Sequence, residues 1–239
     1  MEISNSNLQG FELIPSRLID CQKRLENNLA IYGRDTESAQ LIAVSKTFPA
    51  AAIEQAYQVG QRAFGENYVQ EAVEKILSLK ALNIQWHFIG PIQSNKTTLI
   101  AEHFDWVHSI SRLKIAQRLS DARDADRVPL QVCLQVNVSG ELSKEGCNPS
   151  EVKALAEQII ELPNLKLRGL MTIPEATTDS EKTKASFAKL RSLRDHLRAV
   201  GIPVDTLSMG MSDDMEIAIA EGSTMVRIGR GIFGERARL

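Results

Sequence analysis

The chain has 239 residues, a formal net charge of −2, 43% hydrophobic residues and 24% charged ones, the make-up of an ordinary soluble globular protein with enough chain for one large core. No basic run offers a footprint for nucleic acid, and the longest apolar stretches are strand-sized, too short to span a membrane. Cys21, Cys133 and Cys147 form no metal-spaced pair and leave at least one thiol unpaired. Together with a Met1–Asn7 start that lacks a signal peptide's basic and apolar regions, this predicts a reduced, cytoplasmic setting.

Residues 1–9 are polar and expected to be flexible, and residues 10–239 read as a single domain without linker, repeat or low-complexity tract. A helical pattern starts near Phe11, runs through Leu18, Cys21, Leu25 and Leu29, and stops at Gly33, placing a helix ahead of the first strand that could cover the bottom of a barrel. Leu41-Ile-Ala-Val-Ser-Lys46 has the length and residue types of a strand buried on both faces. Pro49 then opens a helix over Ala50–Val59, closed by Gly60. Ala63-Phe64-Gly65 is a short strand leading to Asn67, which with Gln70 resembles a capping box for the next helix. Ile84–Gly90 and Trp106–Ile110 are the third and fourth strands, with Ser111 expected to cap the helix that follows the fourth.

The fifth strand has the clearest alternation, Leu130, Val132, Leu134, Val136 and Val138 on one face against Gln131, Cys133, Gln135 and Asn137 on the other. Asn148-Pro-Ser-Glu151 then supplies a cap, a proline at the first helical position and an acid at the third. Lys166–Thr172, Asp205–Met209 and Met225–Gly229 complete eight strands, with helices after the sixth and seventh. Strict alternation of strand and helix implies parallel pairing with right-handed crossovers. Eight units favour a closed (β/α)8 TIM-type barrel, an α/β fold with an extra N-terminal helix, over an open sheet.

In a closed barrel the last strand lies beside the first, so Lys46 and the 225–234 segment share one rim. A lysine at the carboxyl end of a buried strand has a desolvated stem, which lowers its pKa toward a nucleophilic amine; a lysine whose head reaches water is the plainer alternative. The loops after strands seven and eight are the recurrent phosphate place of this fold, and here they read Ser208-Met-Gly-Met-Ser212-Asp-Asp and Ile228-Gly-Arg-Gly231. Ser208 and Ser212 can donate hydroxyls, and glycines let backbone N–H groups approach an anion. Ser212 could instead cap a helix, and Asp213 and Asp214 would repel a phosphate if they faced it. Arg227, between Val226 and Ile228, must face the mouth and find a partner, either a carboxylate or a ligand acceptor. A lysine for a Schiff base, a phosphate cradle and an arginine for a ring nitrogen are the parts of a pyridoxal 5'-phosphate (PLP) site.

The motifs Ala43-Val-Ser-Lys46-Thr, Phe64-Gly-Glu-Asn67-Tyr-Val-Gln-Glu71, Trp86-His-Phe-Ile-Gly90-Pro-Ile-Gln-Ser-Asn-Lys96, Gln135-Val-Asn137 and Gly169-Leu-Met-Thr-Ile173 resemble those of the pyridoxal phosphate homeostasis proteins (the YggS/PROSC family). Leu207-Ser-Met-Gly-Met-Ser-Asp213, Val226-Arg-Ile-Gly229 and Ile232-Phe-Gly234 extend the resemblance over nearly the whole chain. The resemblance implies a fold similar to the N-terminal barrel of alanine racemase and a role in vitamin B6 and amino-acid homeostasis. It implies that Lys46 forms the internal aldimine with PLP, that Arg227 faces the pyridine nitrogen, and that Ser208, Ser212, Gly229 and Arg230 surround the phosphate, Arg230 mainly by its backbone. Asn67 is expected near the cofactor's ring.

Two other readings stand beside that one, a PLP-dependent amino-acid racemase-like enzyme and a class I aldolase-like barrel whose lysine attacks a sugar phosphate directly. The racemase reading is disfavoured by the expectation that no second domain follows Leu239 to close the site or supply an opposing tyrosine. His87 is expected to be either a mouth residue or a satisfied buried histidine, His103, His108 and His196 suggest no metal site, and Lys144 reads as a solvated loop lysine. A monomer that passes PLP to PLP-dependent apo-enzymes, with no nucleic-acid or membrane partner, is the expected working unit.

Overall fold

In the computed structural model, which describes residues 11–140 and 145–235, eight short parallel strands close into one barrel in chain order. They are β1 Gln40–Val44, β2 Ala63–Glu66, β3 Gln85–Phe88, β4 Trp106–Ile110, β5 Leu130–Gln135, β6 Leu165–Met171, β7 Thr206–Ser208 and β8 Met225–Ile228. The flexible start expected for residues 1–9, and Lys144, lie outside the described residues. The helices are α1 Ile14–Ile31, α2 Ala50–Gln58, α3 Val69–Ser78, α4 Thr97–His103, α5 Leu113–Ala122, α6 Val152–Ile159, α7 Ser180–Ala199, α8 Met215–Ala220 and the single turn α9 Arg230–Phe233. Among the described residues no helix is long and apolar enough to cross a membrane.

Strand alternation divides the core in two. Leu41, Phe64, Trp86, Phe88, Val107, Leu134, Val226 and Ile228 point outward and pack with the helices in one large apolar cluster. Phe88 meets Phe104 edge-on at 5.3 Å between ring centroids, and both are fully buried. Each such side chain contributes about 1.5–3 kcal/mol relative to exposure. Ile42, Ala63, Trp106, Cys133, Met171 and Met225 form a smaller cluster. Each alternates along its strand with residues of the outer cluster, which places it in the barrel's interior. The clean alternation of the fifth strand is thus apolar toward the helices, with Cys133 and Gln135 turned inward yet still buried.

The N-terminal helix does not cover the barrel floor. α1 packs against α2, α8 and α9, filling the place in the outer ring that the one-turn α9 is too short to occupy. An amphipathic stripe from Ile14 through Leu18 and Leu25 to Leu29 can bury itself equally well on a flank or an end, so periodicity alone did not decide between them. Arg24 then ties α1 to α8 by forking onto Glu216, with N–O distances of 2.5 and 2.7 Å.

Three residues that carry cap signals in the sequence do not cap a helix. Asn67 does not cap α3, because the chain stays extended through Tyr68 (φ −114°, ψ 113°) before turning helical. Ser111 precedes the cap position of α5, which Arg112 fills without a side-chain hydrogen bond. Ser212 is displaced from the start of α8 by Asp214. The capping box at Asn148 and Glu151 forms as expected and opens a turn of 3-10 helix, Pro149–Glu151, that runs into α6.

Close approach of β6 and β7 depends on Gly169. A β-carbon there would lie 1.9 Å from the Thr206 carbonyl oxygen, an atom of the partner strand's backbone that cannot turn aside. Gly169→Ala is therefore expected to destabilise the fold by at least about 1–3 kcal/mol in urea unfolding, the usual cost of overpacking; an unchanged midpoint would show that the two strands can separate freely.

Candidate cofactor site at the carboxyl end of the barrel

The β1–β8 pairing sets Ile42 opposite Arg227 and Ala43 opposite Ile228, which brings Lys46 and the loop after β8 to one rim. A cavity of about 180 Å3 opens there, between the ends of six strands. Lys46, Asn67, Ser212, Arg227, Gly229 and Arg230 line it, with apolar walls from Val44, Ile89, Ile173 and Met211. Six of the residues singled out from sequence thus meet in one place. A larger depression, about 510 Å3, opens at the opposite end around Gln85, Trp106, Arg123 and Arg168, but it gathers neither a lysine nor a glycine-rich loop.

Each lining group is held by its own strand end. Lys46 is half-buried, two residues beyond β1. Asn67 directly follows β2, and its backbone is pinned by Gly90, where a β-carbon would come within 2.3 Å of the Asn67 carbonyl oxygen. The Asn67 Oδ1 atom is buried without a hydrogen-bond partner, an acceptor that costs free energy until a donor arrives. Ser212 sits where the loops after β7 and β8 touch. Its Oγ lies 3.4 Å from the Gly231 nitrogen, and its carbonyl accepts from Arg24 at 2.9 Å. Gly210, at φ +98°, makes the sharp turn out of β7, a backbone region that side chains rarely adopt.

The acids beside this loop are accounted for. Asp213 lines the cavity, but its carboxylate is engaged by the Arg230 side chain at 2.5 Å. Asp214 accepts the Met211 N–H at 2.6 Å, and burial raises its pKa.

Arg227 points into the barrel with only 4% of its surface exposed. Its two described hydrogen bonds go to neutral oxygens, Ser208 Oγ at 2.6 Å and the Thr172 carbonyl at 3.0 Å, and neither is the carboxylate a buried arginine would ordinarily recruit. Burial lowers its pKa to about 10, so it stays charged at neutral pH. Ser208, expected at the phosphate, is instead fully buried beneath Arg227 and does not line the cavity.

From Ser208 a chain of hydrogen bonds descends the barrel interior. Ser208 Oγ meets His108 Nδ1 at 2.8 Å, His108 Nε2 meets His87 Nδ1 at 3.0 Å, and His87 Nε2 meets Gln85 Oε1 at 3.0 Å. Arginine can only donate, so Ser208 passes its own hydrogen to His108, His108 donates to His87, and His87 to the Gln85 amide oxygen, which also accepts from Gln40 at 3.2 Å. Every donor then has an acceptor with both rings neutral and carrying hydrogen on Nε2. Burial pushes the His87 pKa down to about 3, and burial, with Arg227 nearby, holds His108 well below the ordinary imidazole range. His87 is thus a satisfied buried histidine. From the sequence His108 was weighed only as a metal ligand and Thr172 only as part of a strand and motif, although the alternation that turns Trp86 and Phe88 outward also turns His87 inward.

These histidines bind protons in the unfolded chain and not in the folded one. Their contribution to stability is complete above the unfolded pKa, near 6.5, and is lost as pH falls below it. Between pH 5.5 and 4.5 the unfolding free energy should drop by up to about 1.4 kcal/mol per pH unit for each ring, and His108→Gln should remove its share of that slope. Urea unfolding of both chains across this range measures the difference; equal slopes would show that His108 is protonated in the folded state.

Comparison with known proteins identifies the family. A family model described as alanine racemase, N-terminal domain, matches residues 20–237. The pyridoxal phosphate homeostasis protein of Pseudomonas aeruginosa is 60% identical over 213 residues, 89% of this chain and 91% of that protein. Its namesake from Vibrio cholerae is 57% identical over 232 residues, 95% of each. The structure of PipY from Synechococcus elongatus with PLP bound superposes with a TM-score of 0.80 at 39% identity, covering 92% of this chain and all of that one. Matched over nearly its whole length, with the barrel that such a match requires, the chain belongs to the alanine racemase N-terminal-domain family and, within it, to the pyridoxal phosphate homeostasis proteins.

Proposed function

We propose that this protein binds PLP in the rim cavity, carries it covalently on Lys46, and serves in PLP and amino-acid homeostasis as a holder and donor of the cofactor. The observation that carries this reading is the meeting of Lys46, Arg227, the unsatisfied Asn67 Oδ1 and the Ser212–Gly229–Arg230 loops in one cavity. Those groups fit PLP. The amine suits an aldehyde, the two loops suit a phosphate, the guanidinium suits an unprotonated ring nitrogen, and Asn67 awaits a donor. When bound, PLP supplies an aldehyde that captures amines and a ring that withdraws electrons.

The protein's own groups decide how that chemistry is used. Gly229 and the Arg230 backbone, with the Ser212 hydroxyl, hold the anion, while Asp213 keeps the Arg230 side chain turned away. Arg227, still charged and able only to donate, keeps the ring nitrogen unprotonated, which favours holding the cofactor over using it fully as an electron sink. Ser208 acts through Arg227. The working unit on this reading is a cytoplasmic monomer whose recipients are PLP-dependent apo-enzymes, and transfer to such an acceptor is measured by the activity it regains.

Borohydride reduction of the PLP-loaded protein, followed by digestion and mass spectrometry, should find the pyridoxyl group on Lys46. An adduct chiefly on Lys96 or Lys144 would overturn the assignment. Lys46→Ala should unfold within about 0.5 kcal/mol of the parent, because a half-buried rim side chain contributes little packing, and should show no visible cofactor band.

A separate titration tests the anchor. Charge-assisted hydrogen bonds to an anion are worth about 1.5–3 kcal/mol each, so pyridoxal without its phosphate should bind more than about tenfold more weakly than PLP. Equal affinity would remove the phosphate from the Ser212 and Gly229 loops.

A further inference from the structure

The segment that carries Lys46 is bent in a way its sequence does not favour. Phe48 N–H donates to the Ser45 carbonyl at 3.1 Å, closing a four-residue turn with Lys46 and Thr47 at its centre. Thr47 has φ +69°, and among the described residues it is the only one other than glycine with a positive φ. A turn with a positive φ at its third residue alone is type II, whose third position normally belongs to glycine. A β-branched residue there is a strained outlier that persists only where its surroundings enforce it.

The enforcement comes from three charged side chains on β2 and α3, outside the cofactor cavity. Lys75 donates to the Ser45 carbonyl at 2.9 Å, to Glu66 Oε1 at 2.8 Å and to Glu71 Oε1 at 2.5 Å. Ser45 Oγ donates to Glu66 Oε1 at 2.6 Å, and the strained Thr47 N–H donates to Glu71 Oε1 at 2.6 Å. Lys46 is therefore gripped on both flanks, through the carbonyl and hydroxyl before it and the N–H after it. Glu66 is fully buried and Lys75 nearly so, with side-chain exposures of 0% and 7%, while Glu71 is 31% exposed. A surface ion pair would contribute little to stability, and burying ions that fold stability does not require is unfavourable.

We infer that Glu66, Glu71 and Lys75 are positioning residues for Lys46: they hold the turn in its strained form so that the amine stands over the cavity ready to meet an aldehyde. This rests on the proposed role of Lys46. In that loading step the lysine nitrogen bonds to the aldehyde carbon and the aldehyde oxygen leaves as water. The clamp touches neither the phosphate loops nor Arg227, so it should affect ligands that join Lys46 and spare those that do not.

Glu71 is the member to change, because Glu66 and Lys75 still pair without it. Pyridoxine 5'-phosphate, which has the ring and phosphate but an alcohol in place of the aldehyde, is the control ligand. Loss of a charge-assisted hydrogen bond predicts that Glu71→Ala weakens PLP loading by about tenfold or more and leaves pyridoxine 5'-phosphate affinity within about twofold. Glu71→Gln, whose amide oxygen still accepts from Thr47, should stay within about threefold for PLP. In the protein without cofactor, amide exchange at Thr47 should accelerate in the alanine variant and not in the glutamine one. Equal weakening toward both ligands, or unchanged PLP loading in Glu71→Ala, would overturn the inference. A parent protein that forms no lysine adduct would instead overturn the proposed function, and the Thr47 exchange rates would then decide the clamp by themselves.

Discussion

Pairing of Gln40–Ala43 with Met225–Ile228 closes the barrel, and the candidate site depends on that one ladder. It joins residues nearly two hundred positions apart, placing the turn after β1 beside the loop after β8. It also turns Arg227 into the buried interior, at the level of Ile42. Without closure Lys46 would be a rim lysine and the glycine loops ordinary turns. With it they share a cavity with a buried guanidinium.

A charge in that interior has consequences for everything below it. The guanidinium cannot shed its proton, so Ser208 and the Thr172 carbonyl are recruited as acceptors, and Ser208 in turn sets the hydrogen positions of His108 and His87. The column ends at Gln85 and Gln40 near the opposite face. A barrel filled only with the aliphatic layers common in this fold would have no acceptors to offer, and an unpaired arginine there would cost several kcal/mol. The polar column and the apolar cluster of Ile42, Ala63, Trp106, Cys133, Met171 and Met225 therefore share the interior between them.

A second charged group, Glu66, Lys75 and Glu71, works outside the sheet on the opposite side of β1's end. Arg227 would face the ring of a bound cofactor from within the barrel, while this trio grips the backbone that bears the lysine. α1 makes a comparable contact with the loop after β7, where Arg24 on its flank holds the Ser212 carbonyl and Glu216 together. Helices outside the barrel thus set the positions of groups at its mouth through side chains that never enter the cavity.

By itself the sequence determined the eight alternating units, the barrel they imply and the identity of the rim residues. Those signals are local: apolar runs of strand length, proline and glycine punctuation, and loops rich in glycine and serine at the ends of particular strands. Lys46, Arg227, Ser212, Gly229 and Arg230 were legible for the same reason, since position at a strand end suffices to place them. Tertiary structure alone decided which side of a strand each polar residue serves and which partner it finds. Ser208 fell beneath Arg227, Asn67 kept an open acceptor in place of a cap, α1 took a flank, and Lys75, an ordinary helix residue by its sequence, reached back to Ser45. Partner choice for a buried polar atom is settled by distance and desolvation among residues far apart in the chain, and no local pattern encodes that.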